Sequence, residues 1–268
     1  MLHVRPAAVA GLFYPDDPRR LRDQLAEYLS AAAQDPALRP KALVAPHAGY
    51  VYSGPIAARA YALLRPWRAA IRRVVLLGPV HHVWVAGLAL PGVDVFVTPL
   101  GQVMLDRDAM AEVARLPGVE TLPAAHAREH SLEVHLPFLQ TALADFSLVP
   151  LAVGGADAEQ VARVLDHLWG GDETLIVVSS DLSHYLPYDL ARRVDDATAQ
   201  AILALDDHLV GEQACGAHPL NGLLRCARRR GLTPHLLDLR NSGDTAGDRQ
   251  RVVGYGAFAF TEAAHGRA

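Results

Sequence analysis

Thirteen histidines are spread over 268 residues, and several stand beside Pro, Gly, Asp or another His where apolar runs end. His47 lies in Pro46-His-Ala-Gly-Tyr50 and His81 in Gly78-Pro-Val-His-His82. Neutral imidazole is the commonest ligand for a first-row transition metal, and two histidines with one carboxylate, leaving open positions, suit non-haem Fe(II). Neighbouring side chains after a strand point in different directions, so at most one of His81 and His82 faces an ion shared with His47. Asp181 and His184 are three apart in Ser179-Ser-Asp-Leu-Ser-His184. That spacing lets a carboxylate orient an imidazole acid or base, and it serves equally for Asp181 as a helix N-cap.

Three further segments hold reactive side chains. Glu129-His-Ser-Leu-Glu-Val-His135 offers two carboxylates and two histidines around a helix start that Ser131 could cap. Within it, His126-Ala-Arg-Glu129-His130 matches the inverted zinc-peptidase pattern, but it follows Pro123 in a stretch without a strong apolar face. Cys215-Gly-Ala-His218-Pro219 presents a thiol and an imidazole for lining a pocket, although a lone Cys before a helix is more often a packing residue. Asn241-Ser-Gly-Asp244-Thr-Ala-Gly-Asp248 is a polar, glycine-spaced loop that reads as an ordinary solvent turn or as a route for a carboxylate back to the sheet end.

The elements that must position these groups alternate. Apolar strands are expected at 42–46, 74–77, 147–153 and 175–178, shorter ones over 86–98 with a break at Pro91-Gly92, and late strands at 235–239 and 252–260. Helices are expected over 17–33, from Gly54-Pro55 to Leu64, and over 106–116, 131–144, 157–169, 190–205 and 219–230. This order predicts one α/β domain spanning residues 1–268, with a largely parallel or mixed sheet covered by helices on both faces. Ligands of such sheets sit outside the carboxyl ends of strands, where His47, His81 and His184 fall.

Composition removes several classes. A formal charge of -4, from 25 basic and 29 acidic residues, leaves no basic stripe for nucleic acid. Lys41 is the sole lysine and no Gly-Lys-Ser/Thr phosphate loop exists, which disfavours Schiff-base and P-loop enzymes. Cys215 and Cys226 are too few for a disulfide scaffold, and no apolar run reaches membrane-helix length. A cytoplasmic protein, neither exported nor membrane-bound, is expected.

Taken together, Pro46-His-Ala-Gly-Tyr-Val-Tyr-Ser-Gly54, Gly78-Pro-Val-His-His82, Glu129-His-Ser-Leu-Glu-Val-His-Leu-Pro137, Ser179-Ser-Asp-Leu-Ser-His184, Cys215-Gly-Ala-His-Pro219 and Gly254-Tyr-Gly256 resemble the Memo family, in family order and over nearly the whole chain. This family includes the animal mediator of ErbB2-driven cell motility and the bacterial AmmeMemoRadiSam system protein B. The resemblance implies a fold like that of class III extradiol ring-cleaving dioxygenases, which hold Fe(II) through two histidines and a carboxylate. By motif matching it implies His47 and His81 as metal ligands, joined in animal members by a cysteine that the 241–248 loop lacks. An ungapped comparison puts Thr245 near that cysteine with Asp244 beside it, making Asp244 the expected third ligand.

The resemblance places His184 as acid/base with Asp181 orienting it, and Tyr50, His130, His135, Cys215 and His218 lining the cleft. It implies Fe(II), with Zn or Cu as alternatives, and a redox reaction on a small molecule or peptide of unknown identity. A non-catalytic peptide-binding module and a zinc-dependent hydrolase are the competing readings. The bacterial name also implies a pathway link to radical S-adenosylmethionine and AMMECR1-type proteins.

Overall fold

The computed structural model describes residues 2–32 and 38–262. Its strands are β1 (Val4–Arg5), β2 (Pro40–Ala45), β3 (Arg73–Pro79), β4 (Leu88–Leu90), β5 (Val95–Thr98), β6 (Gly101–Met104), β7 (Val119–Thr121), β8 (Ser147–Val153), β9 (Thr174–Ser179), β10 (His184–Leu186), β11 (Thr233–Asn241) and β12 (Val252–Thr261). The helices are α1 (Pro18–Ala31), α2 (Tyr50–Ala62), α3 (Arg107–Val113), α4 (Pro123–Ala127), α5 (Leu136–Ala142), α6 (Ala158–Leu168), α7 (Tyr188–Leu203) and α8 (Ala217–Arg230).

β2, β9, β3 and β8 lie side by side and parallel, and their runs are buried on both faces, which is why they read as continuous apolar stretches. β12 runs antiparallel to β2, β10 and β11, and β4 antiparallel to β8, so the main sheet is mixed. A small second sheet joins β1, β5 and β6. Alternate side chains of the parallel strands feed two apolar cores on opposite faces. Leu43, Leu76 and Val177 pack with Ile56 and Tyr61 of α2, while Val44, Leu77 and Val178 pack with Leu165 of α6 and Leu224 of α8.

Local chemistry sets the helix ends. Asp17 caps α1 through Arg19 and Arg20 amides, Asp106 caps α3 through Ala109, and Asp157 with Gln160 forms a capping box on α6. Two expected starts were displaced. α2 begins at Tyr50 rather than at Gly54-Pro55, because Gly54 serves close packing: a Cβ there would lie 2.5 Å from the Tyr28 ring of α1. The expected helix over 131–144 is a short 3-10 turn at Glu133–His135 followed by α5, and Ser131 donates to the Pro79 carbonyl instead of capping it. No helix among the described residues is long and apolar enough to cross a membrane.

The N-terminal segment is fastened by one buried carboxylate. Glu133 accepts hydrogen bonds from Arg5 Nη1 at 2.7 Å, Tyr14 Oη at 2.6 Å and the Ala8 and Val9 amides. Arg5 also donates to the His126 and Glu129 carbonyls. Residues 5–14 are thereby held against the segment that supplies Glu129 and His130.

Candidate metal centre

Three loops leave neighbouring ends of the parallel sheet, and each carries a candidate group two residues beyond its strand: His47 after β2, His81 after β3 and Asp181 after β9. The 128–132 segment closes over them, tied to β3 by the Ser131 hydroxyl on the Pro79 carbonyl and by the His81 amide on Glu129 Oε2 at 2.6 Å. In this geometry His47, His81 and His130 each offer a ring nitrogen, all within 4.8 Å of one another.

The hydrogen bonds fix which nitrogens are free. Ser179 Oγ donates to the Ser131 carbonyl, so its oxygen must accept from His47 Nδ1–H at 2.6 Å, which leaves Nε2 with a bare lone pair. A carboxylate accepts only, so His81 Nδ1–H donates to Glu129 Oε1 at 2.8 Å, and its Nε2 has no hydrogen-bond partner among the described residues. His130 Nδ1 lies 3.4 Å from the same oxygen, and its ring stacks on His81 at 4.6 Å. Glu129 thus orients the His81 ring through a hydrogen bond, the outer-shell arrangement typical of metal-bound histidines, and lies beside His130. Bonds from His81 and the Ser131 amide outweigh its burial and hold its carboxyl at about 2. Burial drives His47 well below the usual histidine value and His130 to about 4, so these rings are neutral near pH 7, as metal ligation requires. Three grouped ring nitrogens, two of them on rings held by Ser179 and Glu129, fit a transition metal ion.

Around this trio stand groups suited to proton handling. Asp181 Oδ1 accepts from the His47 amide at 2.8 Å, and Oδ2 lies 4.0 Å from His47 Nε2. Burial raises its pKa to about 7. Cys215 Sγ sits 3.4 Å from His47 Nε2 and receives the Asp181 amide at 3.3 Å; burial pushes the thiol up to about 12, so it remains S–H. His184 is half-buried, bonded to the Leu182 carbonyl and lowered by burial. Gly254 admits the loop support behind it, because a Cβ there would fall 2.0 Å from the Asp195 carboxylate that accepts from Ser183.

The structure brings together His47, His81 and His130, with Asp181 and Cys215 beside them, but not every expected residue. Asp244 is exposed, its oxygens taken by Tyr188 Oη and the Asn241 amide in a 3-10 cap, so the ungapped loop comparison does not deliver it to the histidines. His130, expected only as lining, supplies the third nitrogen instead. No hydrogen bond joins Asp181 to His184 among the described residues. Tyr50 is buried with its hydroxyl on the Val134 carbonyl, and exposed His218 is tied to the Ala156 carbonyl. His135 is buried against Tyr61 Oη with its Nε2 unpartnered.

The inverted zinc-peptidase pattern dissolves in the fold. α4 is five residues long, and His126 Nε2 bonds the Ala89 carbonyl with the ring buried near Phe96. Burial lowers His126 to about 4 and His135 to about 3, from an ordinary 6.5. An unfolded chain takes up these protons below pH 6.5 while the folded one does not, so stability is full above 6.5 and falls as pH drops toward 4. The loss should be on the order of 1 kcal/mol per pH unit for each histidine. Urea midpoints at pH 7 and 4.5 should therefore differ, and His126→Gln should flatten that slope; an unchanged slope would remove His126 from the account.

Comparison with known proteins agrees with the motif order. A family model described as "Memo-like protein" matches residues 5–259. A MEMO1 family protein of Archaeoglobus fulgidus is 35% identical over 96% of this chain and 99% of its own length. One of Aquifex aeolicus is 35% identical over 97% of this chain and all of its own. A solved structure, an uncharacterized protein of Escherichia coli K12, aligns with TM-score 0.48 and 14% identity over 80% of this chain and 98% of that one.

Proposed function

The chain belongs to the Memo-like family, and from that footing we propose that it is a non-haem iron oxidoreductase of dioxygenase type, acting on a small organic molecule at His47, His81 and His130. The observation that carries this reading is the trio itself, with the Nδ1 atoms of His47 and His81 held by Ser179 and Glu129 so that Nε2 is kept for an ion. Such a set leaves further coordination positions open, and Fe(II) bound there would supply Lewis acidity and one-electron chemistry.

The chain's own groups do the rest. Glu129 keeps the His81 ring aimed, and Ser179 does the same for His47. Phe13, whose ring meets His130 at 4.8 Å, shields that donor from water on the N-terminal side. Asp181 and half-buried His184 are the proton carriers, Asp181 because burial leaves its carboxyl able to hold or release a proton near neutrality. Cys215 Sγ lies 3.4 Å from His47 Nε2, outside the three-nitrogen set.

A second reading has its own support, since three histidines are also a donor set of catalytic zinc, which activates water. Oxygen uptake separates the two. Fe(II)-loaded protein with reducing small-molecule candidates should consume O2 and zinc-loaded protein should not; hydrolysis by zinc-loaded protein without oxygen, and no uptake with iron, would replace the redox reading.

A further inference from the structure

β10 carries an irregularity beside the centre. His184 pairs with Val253 and Leu186 with Val252, so Tyr185 is an extra residue in the ladder. Its φ is +59°, a left-handed conformation that costs a bulky L-residue free energy. The side chain gains no burial in return and is 63% exposed. Bulges next to sites re-aim a side chain, and this one turns Tyr185 out beside the His184 ring, 5.8 Å away.

Over the Tyr185 ring, at 5.1 Å, lies the Arg251 guanidinium. A neighbouring pair has the same form: Arg249 stacks over Tyr188 at 4.4 Å. That neighbour carries its own carboxylate, because the Tyr188 hydroxyl donates to Asp244. The Tyr185 pair has none. Among the described residues the Tyr185 hydroxyl has no hydrogen-bond partner and the Arg251 guanidinium no carboxylate; Asp248 reaches only the Arg251 backbone amide.

We propose that Tyr185 and Arg251 form the recognition lip of the site and bind the carboxylate of a small organic acid, whose other end reaches toward His184 and the three histidines. A phenol hydroxyl and a planar guanidinium fork give a carboxylate charge-assisted bonds that an amide or alcohol cannot match. The inference rests on the metal-centre reading for what happens at the far end, but the lip itself stands on Tyr185 and Arg251 alone.

Calorimetric titration of the as-purified and zinc-treated chain with hexanoate and phenylacetate, against hexanamide and phenylacetamide, tests it. The acids should bind and the amides should not. Arg251→Gln and Tyr185→Phe should each weaken the acids about tenfold or more, while Arg249→Gln leaves them unchanged. Tyr185→Gly, which accepts the positive φ, should raise the unfolding temperature yet lose the acids, a trade that a merely structural tyrosine would not show. Acids and amides binding alike, affinity unchanged in Arg251→Gln, or no acid binding to wild type would each overturn the lip. Zinc content measured in parallel keeps the two readings apart: full metal without acid binding removes only the lip, and Arg251-dependent acid binding without metal removes only the centre.

Discussion

Anaerobic reconstitution with Fe(II) should give about one ion per chain, and His47→Ala or His81→Ala should lower the affinity roughly 100-fold or more, beyond what an outer-shell change costs. Each of these rings spends Nδ1 on the protein and keeps Nε2 for an ion, so its removal takes away a whole nitrogen donor. His130→Ala should weaken binding comparably, because it supplies the remaining nitrogen. Asp244→Ala should leave the metal content unchanged, since that carboxylate is occupied by Tyr188 and Asn241. Loss of iron from Asp244→Ala with retention in His130→Ala would reverse the assignment of the third ligand.

Glu129→Gln separates orientation from ligation in the same measurement. The amide keeps the shape but loses the charge that aims the His81 imidazole, and outer-shell losses of this kind cost roughly 10- to 100-fold in affinity. Thermal shift gives a second readout, because a ligand at 1,000 times its dissociation constant stabilises the fold by about 4 kcal/mol. Wild type should show that shift and His81→Ala should not. Equal shifts in both would mean the ion binds elsewhere.

The strands and their ends were legible because β2, β3, β8 and β9 are buried on both faces and so appear as unbroken apolar runs. Once a sheet of this kind is inferred, His47 and His81 fall at its carboxyl ends without further information. Asp244 was misplaced because an ungapped comparison cannot see that Asn241 and Asp244 close a local 3-10 cap, which consumes the carboxylate within its own loop. The role of His130 depends on a contact between segments 48 residues apart, Glu129 with His81, which no local pattern encodes. The Tyr185 bulge is likewise invisible locally: it arises from the register of β10 against β12.

Glu133→Gln should cost roughly 3–5 kcal/mol, the penalty for leaving one partner of a buried ion pair uncompensated. Both members are sealed, Arg5 with 4% and Glu133 with none of the side chain exposed, so water cannot take over the lost partner. The carboxylate also satisfies two backbone amides and the Tyr14 hydroxyl, whose acidity burial suppresses further. A glutamine offers one acceptor oxygen where two are used and sets an N–H donor against other donors. At about 2–4 °C per kcal/mol for a domain of this size, the unfolding temperature should fall by roughly 10 °C. Arg5→Met with Glu133→Leu should not recover that loss, because it leaves the Ala8 and Val9 amides, the Tyr14 hydroxyl and the His126 and Glu129 carbonyls without their partners. The effect should also reach the centre. Residues 5–14 carry Phe13, which rests on His130 and whose carbonyl accepts the Tyr50 amide, so loosening the segment should weaken metal binding even though Glu133 touches no ligand. A Glu133→Gln protein that unfolds at the wild-type temperature would show that the N-terminal segment is held by its apolar contacts, and that the carboxylate is incidental to it.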